Sequence, residues 1–301
     1  MTVPAHWFSF EDFPGNPIIE PPGPEWMIAD PTVLPPDDSP DGKWHLFANS
    51  LRGIHHYTSE NGYEWRRLGG PLFPGLRPCI RREKDTFYLF YELYVRFPVS
   101  HMVARSSPDL RRWSEPAHLL KPSLPWEGKI PAANGNPSFV SGPFGFRLYY
   151  SASAIWLPDC LFIEPRHIGV AEAESILGPY RKRPEPILSP DPKEPFRNFG
   201  AGAIKVFLEN GKFIGLNNGI YKDAEGRSRS AILVLESSDG FSWKKAREKP
   251  IIQPEGDGWK KALVYALDLV RHGKELRLYY NARSGWFVGS ERIGVAVGRA
   301  S

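Results

Sequence analysis

Three carboxylates interrupt segments of the chain that are otherwise apolar. Asp30 lies in ADPTVL, Glu92 in FYELY and Asp268 in YALDLV. Two carboxylates in one pocket can serve as general acid and general base, provided that burial or a like-charged neighbour raises the pKa of the acid toward neutrality. These three residues are therefore the catalytic candidates, and the elements that carry them decide which of them can meet.

Two of the three candidates also have a structural interpretation. Glu92 ends a predicted strand and either takes part in chemistry or pairs with a buried base such as Arg77 or Arg105. Strand alternation leaves Asp268 facing either a central channel or a neighbouring structural unit. Whether each of these two carboxylates is catalytic or structural depends on the architecture that surrounds it.

The chain contains five copies of one pattern: a short apolar strand, a second strand rich in aromatics, a third strand, and a hairpin that leads to an aromatic residue and a proline-rich exit. The second strands are KWHLFAN (43–49), TFYLFYE (86–92), FRLYYSA (146–152), KFIGLNN (212–218) and LRLYYNA (276–282). Five such copies predict an all-β fold, a five-bladed β-propeller with four antiparallel strands per blade.

Composition and the chain ends agree with this architecture. The 301 residues include 28 Gly, 31 Pro, 10 Trp, 12 Tyr and 18 Phe, which suits many short strands and turns and excludes a helix bundle. The fifth copy lacks its last strand, and the N-terminal segment HWFSF (6–10) with NPIIEP (16–21) resembles the missing piece. We therefore expect the N-terminal strand to close the ring in the last blade, giving one domain over residues 1–301.

Several classes of function are disfavoured. The net charge of +4 is spread without a long basic run, which argues against nucleic acid as a partner. There is no stretch of 18 apolar residues and no signal-peptide pattern, so we expect a cytoplasmic protein without membrane contact. Cys79 and Cys160 are expected to be free thiols, and no residue spacing predicts a metal site. The oligomeric state is not decided by the sequence.

In a propeller the first strand of each blade lines the central channel, and the loops at one end form a funnel that all blades reach. The residues that open these strands are Asp30, Arg77, Asn136, Gly202 and Ala266. Asp30 is the only carboxylate among them, which makes it the first candidate for a catalytic group.

The segment NPIIEPPGPEWMIADPTVL (16–34) resembles the opening of the five-bladed glycoside hydrolases related to family 43. Two later segments, residues 200–220 and 277–296, resemble the late blades of family 130, the mannoside phosphorylases and hydrolases. The likeness extends over the whole chain as a blade repeat, and only the opening is motif-specific. It implies an enzyme that acts on a carbohydrate, without a cofactor, although some relatives hold an ion such as calcium on the propeller axis.

The resemblance implies that Asp30 acts as a general base on a water. Family members carry an Asp in the second blade and a Glu in the third, and this chain has Arg77 and Asn136 at those positions. The general acid must therefore come from elsewhere. Glu92 and Asp268 are the candidates. Asp159 and Glu164 lie in the longest insertion (155–167), a loop that could fold over the funnel, and are interpreted as solvated surface residues in preference to that alternative.

Further side chains suit a sugar site, because sugar hydroxyls need both donors and acceptors. Amide, hydroxyl and guanidinium groups follow the second strands at equivalent places, where they either bind sugar or cap strand ends: Asn49, Ser151, Asn217, Asn281 and Arg283. Arg77 and Asn136 are included in the predicted binding set. Trp26 and Trp156 lie on loops, where exposed aromatics would stack on sugar faces.

Three functions follow from these observations. The first is hydrolysis of a terminal or small glycoside, with Asp30 as general base or nucleophile. The second is phosphorolysis, which needs a cationic phosphate pocket built from Arg77, Arg105 or Arg283. The third is a sugar-binding propeller without catalysis, consistent with Arg77 and Asn136 where acids are expected.

Overall fold

Five four-stranded antiparallel sheets form the blades of a β-propeller, as a computed structural model describes it over residues 9–129 and 132–299. The all-β, five-bladed expectation is confirmed. Part of the predicted closing segment, positions 6–8, lies outside the described residues. Within the described ranges, no helix is long and apolar enough to cross a lipid bilayer.

The strands follow the repeat in chain order, after a two-residue strand β1 (Glu11–Asp12). Blade 1 contains β2 (Ala29–Leu34), β3 (Trp44–Ser50), β4 (Gly53–Ser59) and β5 (Arg66–Arg67). Blade 2 contains β6 (Leu76–Glu83), β7 (Thr86–Arg96), β8 (Val99–Ser107) and β9 (Ala117–Leu120). Blade 3 contains β10 (Asn134–Gly142), β11 (Gly145–Ala152), β14 (His167–Ala173) and β15 (Arg181–Lys182), with an inserted hairpin of β12 (Ile155–Leu157) and β13 (Phe162–Glu164).

Blade 4 contains β16 (Gly200–Glu209), β17 (Lys212–Lys222), β18 (Ser228–Ser237) and β19 (Lys244–Lys245). Blade 5 contains β20 (Leu263–His272), β21 (Glu275–Arg283) and β22 (Glu291–Arg299), and β1 is its fourth strand. Two single turns of 3-10 helix, Pro36–Asp38 and Pro125–Glu127, interrupt the connections.

The N-terminal segment closes the ring, as expected: Ile19, within the predicted residues 16–21, bridges Ile293 on β22, while the strand β1 lies between the two predicted segments. Glu11 pairs with Val297 on β22, and the backbone N–H of Phe13 donates to the carbonyl of Val295. Most of the outer strands are also shorter than predicted and begin earlier. In blades 1, 3 and 4 they are basic dipeptides, and the apolar exits predicted as strands make only single bridges, such as Ile54 with Phe73.

Each junction between neighbouring blades contains its own apolar core. Residues of blades 1 and 2, for example Phe47 and Leu89, pack together, and equivalent cores lie at the other four junctions. Hairpin tryptophans add to these cores: the ring of Trp65 lies 6.0 Å from that of Tyr279 in blade 5, in an edge-to-face arrangement. The blades are therefore held together mainly by burial of apolar side chains between sheets.

Candidate active site

The innermost strand of every blade is irregular at the same place. Pairing between the first and second strands shifts register there in all five blades. Asp30, Arg77 and Asn136 adopt left-handed backbone conformations at this point, with φ of 56°, 54° and 50°, and Gly202 does so in blade 4 with φ of 61°. Bulges of this kind re-aim side chains, and here they bring Asp30, Arg77 and Asn136 to one cavity on the propeller axis.

Residues at the ends of the second strands hold these bulges from the preceding blade. Asn281 Oδ1 accepts the backbone N–H of Asp30 at 3.0 Å, and Asn49 Oδ1 accepts that of Arg77 at 2.6 Å. Ser151 Oγ donates to the carbonyl of Gly202 at 2.7 Å. All three side chains are buried and bonded to backbone, and Asn49 and Asn281 also line the cavity.

In blade 4 the residue next to the predicted one makes the equivalent contact with the following blade. Asn218, and not the predicted Asn217, lines the cavity and donates from Nδ2 to the carbonyl of Val264 in blade 5 at 3.0 Å. Asn217 donates to the carbonyls of Ala201 and Ala203 within its own blade. Successive residues of a strand face opposite sides of the sheet, so only one of these two neighbouring asparagines faces the cavity.

The axial cavity has a volume of about 490 Å³. This lies in the lower part of the range of about 300–1,000 Å³ that is usual for small-molecule sites. Its ionisable lining residues come from three blades and from the inserted hairpin: Asp30, Arg77, Cys160, Glu164, Tyr265, Arg283 and Glu291. A cavity of this size suits one sugar ring with a leaving group.

Asp30 lies on the cavity floor between cations. Burial raises the pKa of its carboxyl above the ordinary value, although the positive charges of Arg77 and Lys205 oppose the shift. Nearby cations favour the ionised form of a carboxyl, which a general base requires.

The inserted hairpin of blade 3 brings Glu164 into the same cavity. Burial raises the pKa of Glu164 to about 8, opposed by Arg77 and reinforced by the carboxyls of Glu291 and Asp30. The sequence-based interpretation of Glu164 as a solvated surface residue is therefore revised. A carboxyl with this pKa is protonated at neutral pH, which is the state that a general acid needs.

Contacts with blade 4 fix the position of Glu164. The carbonyl of the next residue, Pro165, accepts the backbone N–H of Gly202 at 3.1 Å. Farther along the hairpin, the Asp159 carboxylate accepts the backbone N–H and hydroxyl of Ser228, at 2.6 and 2.5 Å, and pairs with Lys222. Asp159 thus positions the hairpin, and does not lie free on the surface as expected.

Glu291 is a third carboxylate in the cavity. It opens β22 opposite Arg283, whose Nη1 donates to Glu291 Oε1 at 3.1 Å. Burial raises the pKa of Glu291 to about 7, although Arg283 opposes the shift. Arg283 also donates to the carbonyls of Gly285 and Trp286, so its donors are largely satisfied within the protein.

Glu92 is the partner of a base and does not line the cavity. It is fully buried, pairs with Arg77 at 2.5 Å and accepts the hydroxyl of Ser100 at 2.6 Å. A Cβ atom on Gly135 of blade 3 would lie only 2.2 Å from Glu92 Oε2, so a glycine is needed for this contact. The structure therefore gives Glu92 a supporting role under Arg77.

Asp268 bonds to residues of blades 1 and 2 and does not line the cavity. It accepts the hydroxyl of Thr32 at 2.6 Å and the backbone N–H of Val33 at 3.1 Å, and it pairs with Arg81 at 3.2 Å. Burial disfavours its charge, but Arg81 and Lys205 outweigh this effect and lower its pKa. The inter-blade alternative therefore describes Asp268 better than a catalytic role.

The two loop tryptophans are in different positions. Trp26 lines the cavity, with the guanidinium of Arg283 5.1 Å from its ring centre. Trp156 lies exposed on β12 and does not line the cavity.

The channel below Asp30 does not suit a calcium ion. It narrows between Asp30, Arg77, Asn136 and Lys205, and the ammonium of Lys205 donates to the carbonyl of Pro137 at 2.8 Å. Two cationic side chains beside one carboxylate disfavour a divalent cation, which prefers several oxygen ligands. Among the described residues, no group of three His, Cys, Asp or Glu side chains could hold a metal.

Sequence reasoning missed Glu291 and Tyr265 altogether. Tyr265 lines the cavity with a buried hydroxyl that has no hydrogen-bond partner among the described residues, so it offers a donor to a ligand. The only signal for Glu291 was its place in SERIGVA, at the start of a strand opposite Arg283. Nothing in that pattern distinguishes it from a surface acid.

No family model and no curated protein sequence match this chain. Solved structures do match its fold. A protein from Bacteroides thetaiotaomicron described as a candidate glycosidase superposes with a TM-score of 0.70 at 16% identity, over 97% of both chains. A thermostable family-43 glycoside hydrolase gives 0.67 at 17% identity, covering 94% of this chain and 91% of the other.

The fold is also shared by a protein with a different named activity. An N-acetylgalactosamine deacetylase from F. plautii, solved in complex with blood group B trisaccharide, superposes with a TM-score of 0.67 at 14% identity, over 96% of this chain and 95% of the other. At these identities the likeness shows the five-bladed fold alone. The chemistry must be argued from the cavity.

Proposed function

We propose that this protein hydrolyses a glycosidic bond in the axial cavity, with Asp30 as general base and Glu164 as general acid. The observation that carries the proposal is that these two carboxyls line one cavity in different electrostatic surroundings. Cations accompany Asp30, whereas Glu164 holds its proton to a pH of about 8. Glycoside cleavage requires a protonated acid and an ionised base, and the cations beside Asp30 favour its ionised form.

In the proposed reaction the bond between the anomeric carbon and the leaving oxygen breaks, and the proton of Glu164 passes to that oxygen. Asp30 takes a proton from a water whose oxygen bonds to the anomeric carbon. The products are a free sugar and an alcohol, and the two carboxyls have exchanged protonation states. Direct attack by Asp30 on the anomeric carbon is the alternative, and the anomeric configuration of the first product, read by NMR, distinguishes the two.

Phosphorolysis is less well supported. Of the three arginines considered for a phosphate pocket, Arg283 is bonded to Glu291 and to two carbonyls, and Arg105 is bonded to Tyr91 and Ser114. Arg77 remains open to the cavity but is paired with Glu92. A phosphate would thus compete with carboxylates already in place.

The test compares the wild type with Asp30→Asn and Glu164→Gln on a panel of alkyl and aryl glycosides. We expect Asp30→Asn to lower kcat by about 10²–10⁴-fold on every substrate that is cleaved. Glu164→Gln should lose most activity on poor leaving groups such as methanol and retain it on 2,4-dinitrophenol, which needs no proton. Asp268→Asn is the matched control for a buried carboxylate outside the cavity.

Three outcomes would contradict the proposal. Full activity of Asp30→Asn would remove Asp30 from the chemistry. Release of a sugar 1-phosphate that depends on added phosphate would indicate phosphorolysis. Binding of sugars without turnover, across the whole panel, would indicate a sugar-binding propeller.

A further inference from the structure

Large apolar side chains surround the mouth of the axial cavity. Trp26, Leu51, Leu161, Ile163 and Phe287 are each between 42% and 67% exposed, and all five also line the cavity. We refer to these five residues as the apolar collar. Exposed apolar groups of this size, gathered around one opening, mark a place where a ligand or partner is bound.

The collar is assembled from separate parts of the propeller. Trp26 and Leu51 flank β2 and β3 of blade 1, Leu161 and Ile163 belong to the blade 3 hairpin, and Phe287 lies between β21 and β22. The side chains therefore surround the opening and do not form a flat patch on one blade. A ligand that fills the cavity and extends outward would contact them.

The polarity of the cavity changes with depth. The polar lining residues Arg283, Glu291 and Asn136 are no more than 8% exposed, in contrast to the collar. A sugar at the floor would meet Asp30, Arg77 and Glu164, which can satisfy its hydroxyls. Leu51, Leu161 and Ile163 at the mouth have no hydrogen-bonding groups and gain only from apolar contact.

We infer that the preferred substrate is a glycoside with an apolar leaving group, an alkyl or aryl alcohol that lies against the apolar collar while its sugar occupies the floor. This inference rests on the proposed hydrolysis for its choice of ligand. The leaving oxygen would lie between floor and collar, where Glu164 at the end of β13 supplies its proton. A second sugar at the mouth would stack on Trp26 or Phe287 but would gain little from the three aliphatic residues.

The kinetic test uses methyl, butyl, hexyl and octyl glycosides of whichever sugar is cleaved, below micelle-forming concentrations. Because each buried methylene contributes about 0.8 kcal/mol, kcat/KM should rise up to about fourfold per methylene until the collar is filled. Leu161→Ser and Phe287→Ser should each flatten this dependence. Leu208→Ser, an exposed leucine that does not line the cavity, is the control and should keep the full slope.

A binding test separates this inference from the proposed function. Calorimetry on Asp30→Asn should show octyl glycosides binding at least tenfold more tightly than methyl glycosides, with a loss of that preference in Leu161→Ser. If no glycoside is hydrolysed and this preference remains, the proposed function falls and the collar inference stands. If hydrolysis occurs without dependence on chain length, the collar inference falls alone.

The same variants also test two other occupants of the apolar collar, a second copy of the chain and a membrane surface. A dimer that Leu161→Ser dissociates, seen by sedimentation, would assign the collar to contact between copies of the chain. Binding of the wild type, but not of Leu161→Ser, to phosphatidylcholine vesicles would assign it to a membrane surface. Either result would overturn the inference.

Discussion

Asn281 Oδ1 accepts the backbone N–H of Asp30 at 3.0 Å, across the junction between the last blade and the first. The proposed catalytic base therefore adopts its left-handed backbone conformation under the control of a side chain 251 positions away. Such a conformation is uncommon for a residue other than glycine and persists only when its surroundings enforce it. Asn281 is thus a positioning residue for Asp30.

Replacing Asn281 with alanine should lower both stability and activity. The buried N–H of Asp30 would lose its acceptor, at about 1–3 kcal/mol, and Asp30 would shift within the cavity. Asn217→Ala is the matched control, because Asn217 is equally buried and makes two hydrogen bonds but does not line the cavity. Thermal unfolding should show comparable losses for both variants, and kcat at a temperature where both are folded should fall only for Asn281→Ala. Equal kcat values would contradict the positioning role.

The pH dependence of hydrolysis should report the proton of Glu164. With a pKa of about 8 this carboxyl is protonated at neutral pH and ionises as the pH rises. Since only the protonated form can supply a proton to the leaving group, kcat/KM for an alkyl glycoside should fall above a pH of about 8. For a 2,4-dinitrophenyl glycoside this decrease in kcat/KM at high pH should be weak or missing. A decrease of the same size for both leaving groups would argue against Glu164 as the acid.

The Asp159 carboxylate should matter for catalysis although it is remote from the reacting atoms. Asp159→Ala would release the blade 3 hairpin from Ser228 and Lys222, and Glu164 would lose its fixed position. We expect kcat to fall roughly ten- to a hundredfold with a small change in melting temperature. Asp109→Ala, which removes a turn-forming carboxylate from blade 2, is the matched control and should keep its kcat. Unchanged turnover in Asp159→Ala would show that the hairpin is held well enough by its other contacts.

Asp268 should behave as a structural carboxylate. Asp268→Asn would leave Arg81 without its charged partner, at about 3–5 kcal/mol for a buried pair, while activity per folded molecule stays close to that of the wild type. Because the pKa of Asp268 is lowered in the folded state, its stabilising charge is present above its unfolded value of 3.8 and is lost as the pH falls through the folded value. The difference in unfolding free energy between wild type and variant, measured by urea denaturation, should therefore shrink under acidic conditions. A folded but inactive variant would return Asp268 to the catalytic candidates.

The architecture was accessible from the sequence because it repeats. Five copies of one strand pattern carry the same information several times, so an error at one boundary leaves the fold unchanged. The Asp30 motif was accessible for a similar reason, since the register of blade 1 placed a lone carboxylate on the channel. The predicted outer strands begin too late in the chain. After the tight hairpin that carries the tryptophan the chain reverses direction immediately, so the basic dipeptide beside the tryptophan pairs with the third strand.

The rest of the site depended on contacts between distant parts of the chain. Glu164 is directed into the cavity by Asp159, which binds a serine 69 positions away, and no local pattern shows that contact. The Arg77 and Glu92 pair was weighed as an alternative, but choosing it required knowing that Gly135 leaves room for the carboxylate. Asn217 was chosen in place of Asn218 because a one-residue error in aligning β17 with the other second strands selects the opposite face of the strand.

The closure of blade 5 by β1 affects the order in which the fold and the candidate active site form during folding. Asn16 and Val295 join through hydrogen bonds across 279 positions, a loop that can form only after synthesis of nearly the whole chain. Contacts between residues so distant in sequence form slowly, because a large loop must close before they contribute. Asp30 lies at this junction and is positioned by its hydrogen bond to Asn281 of blade 5. Four blades can therefore be assembled before the proposed base reaches its final position. Recovery of activity during refolding should therefore lag behind the burial of Trp113, which packs between blades 1 and 2 and not at the closing seam.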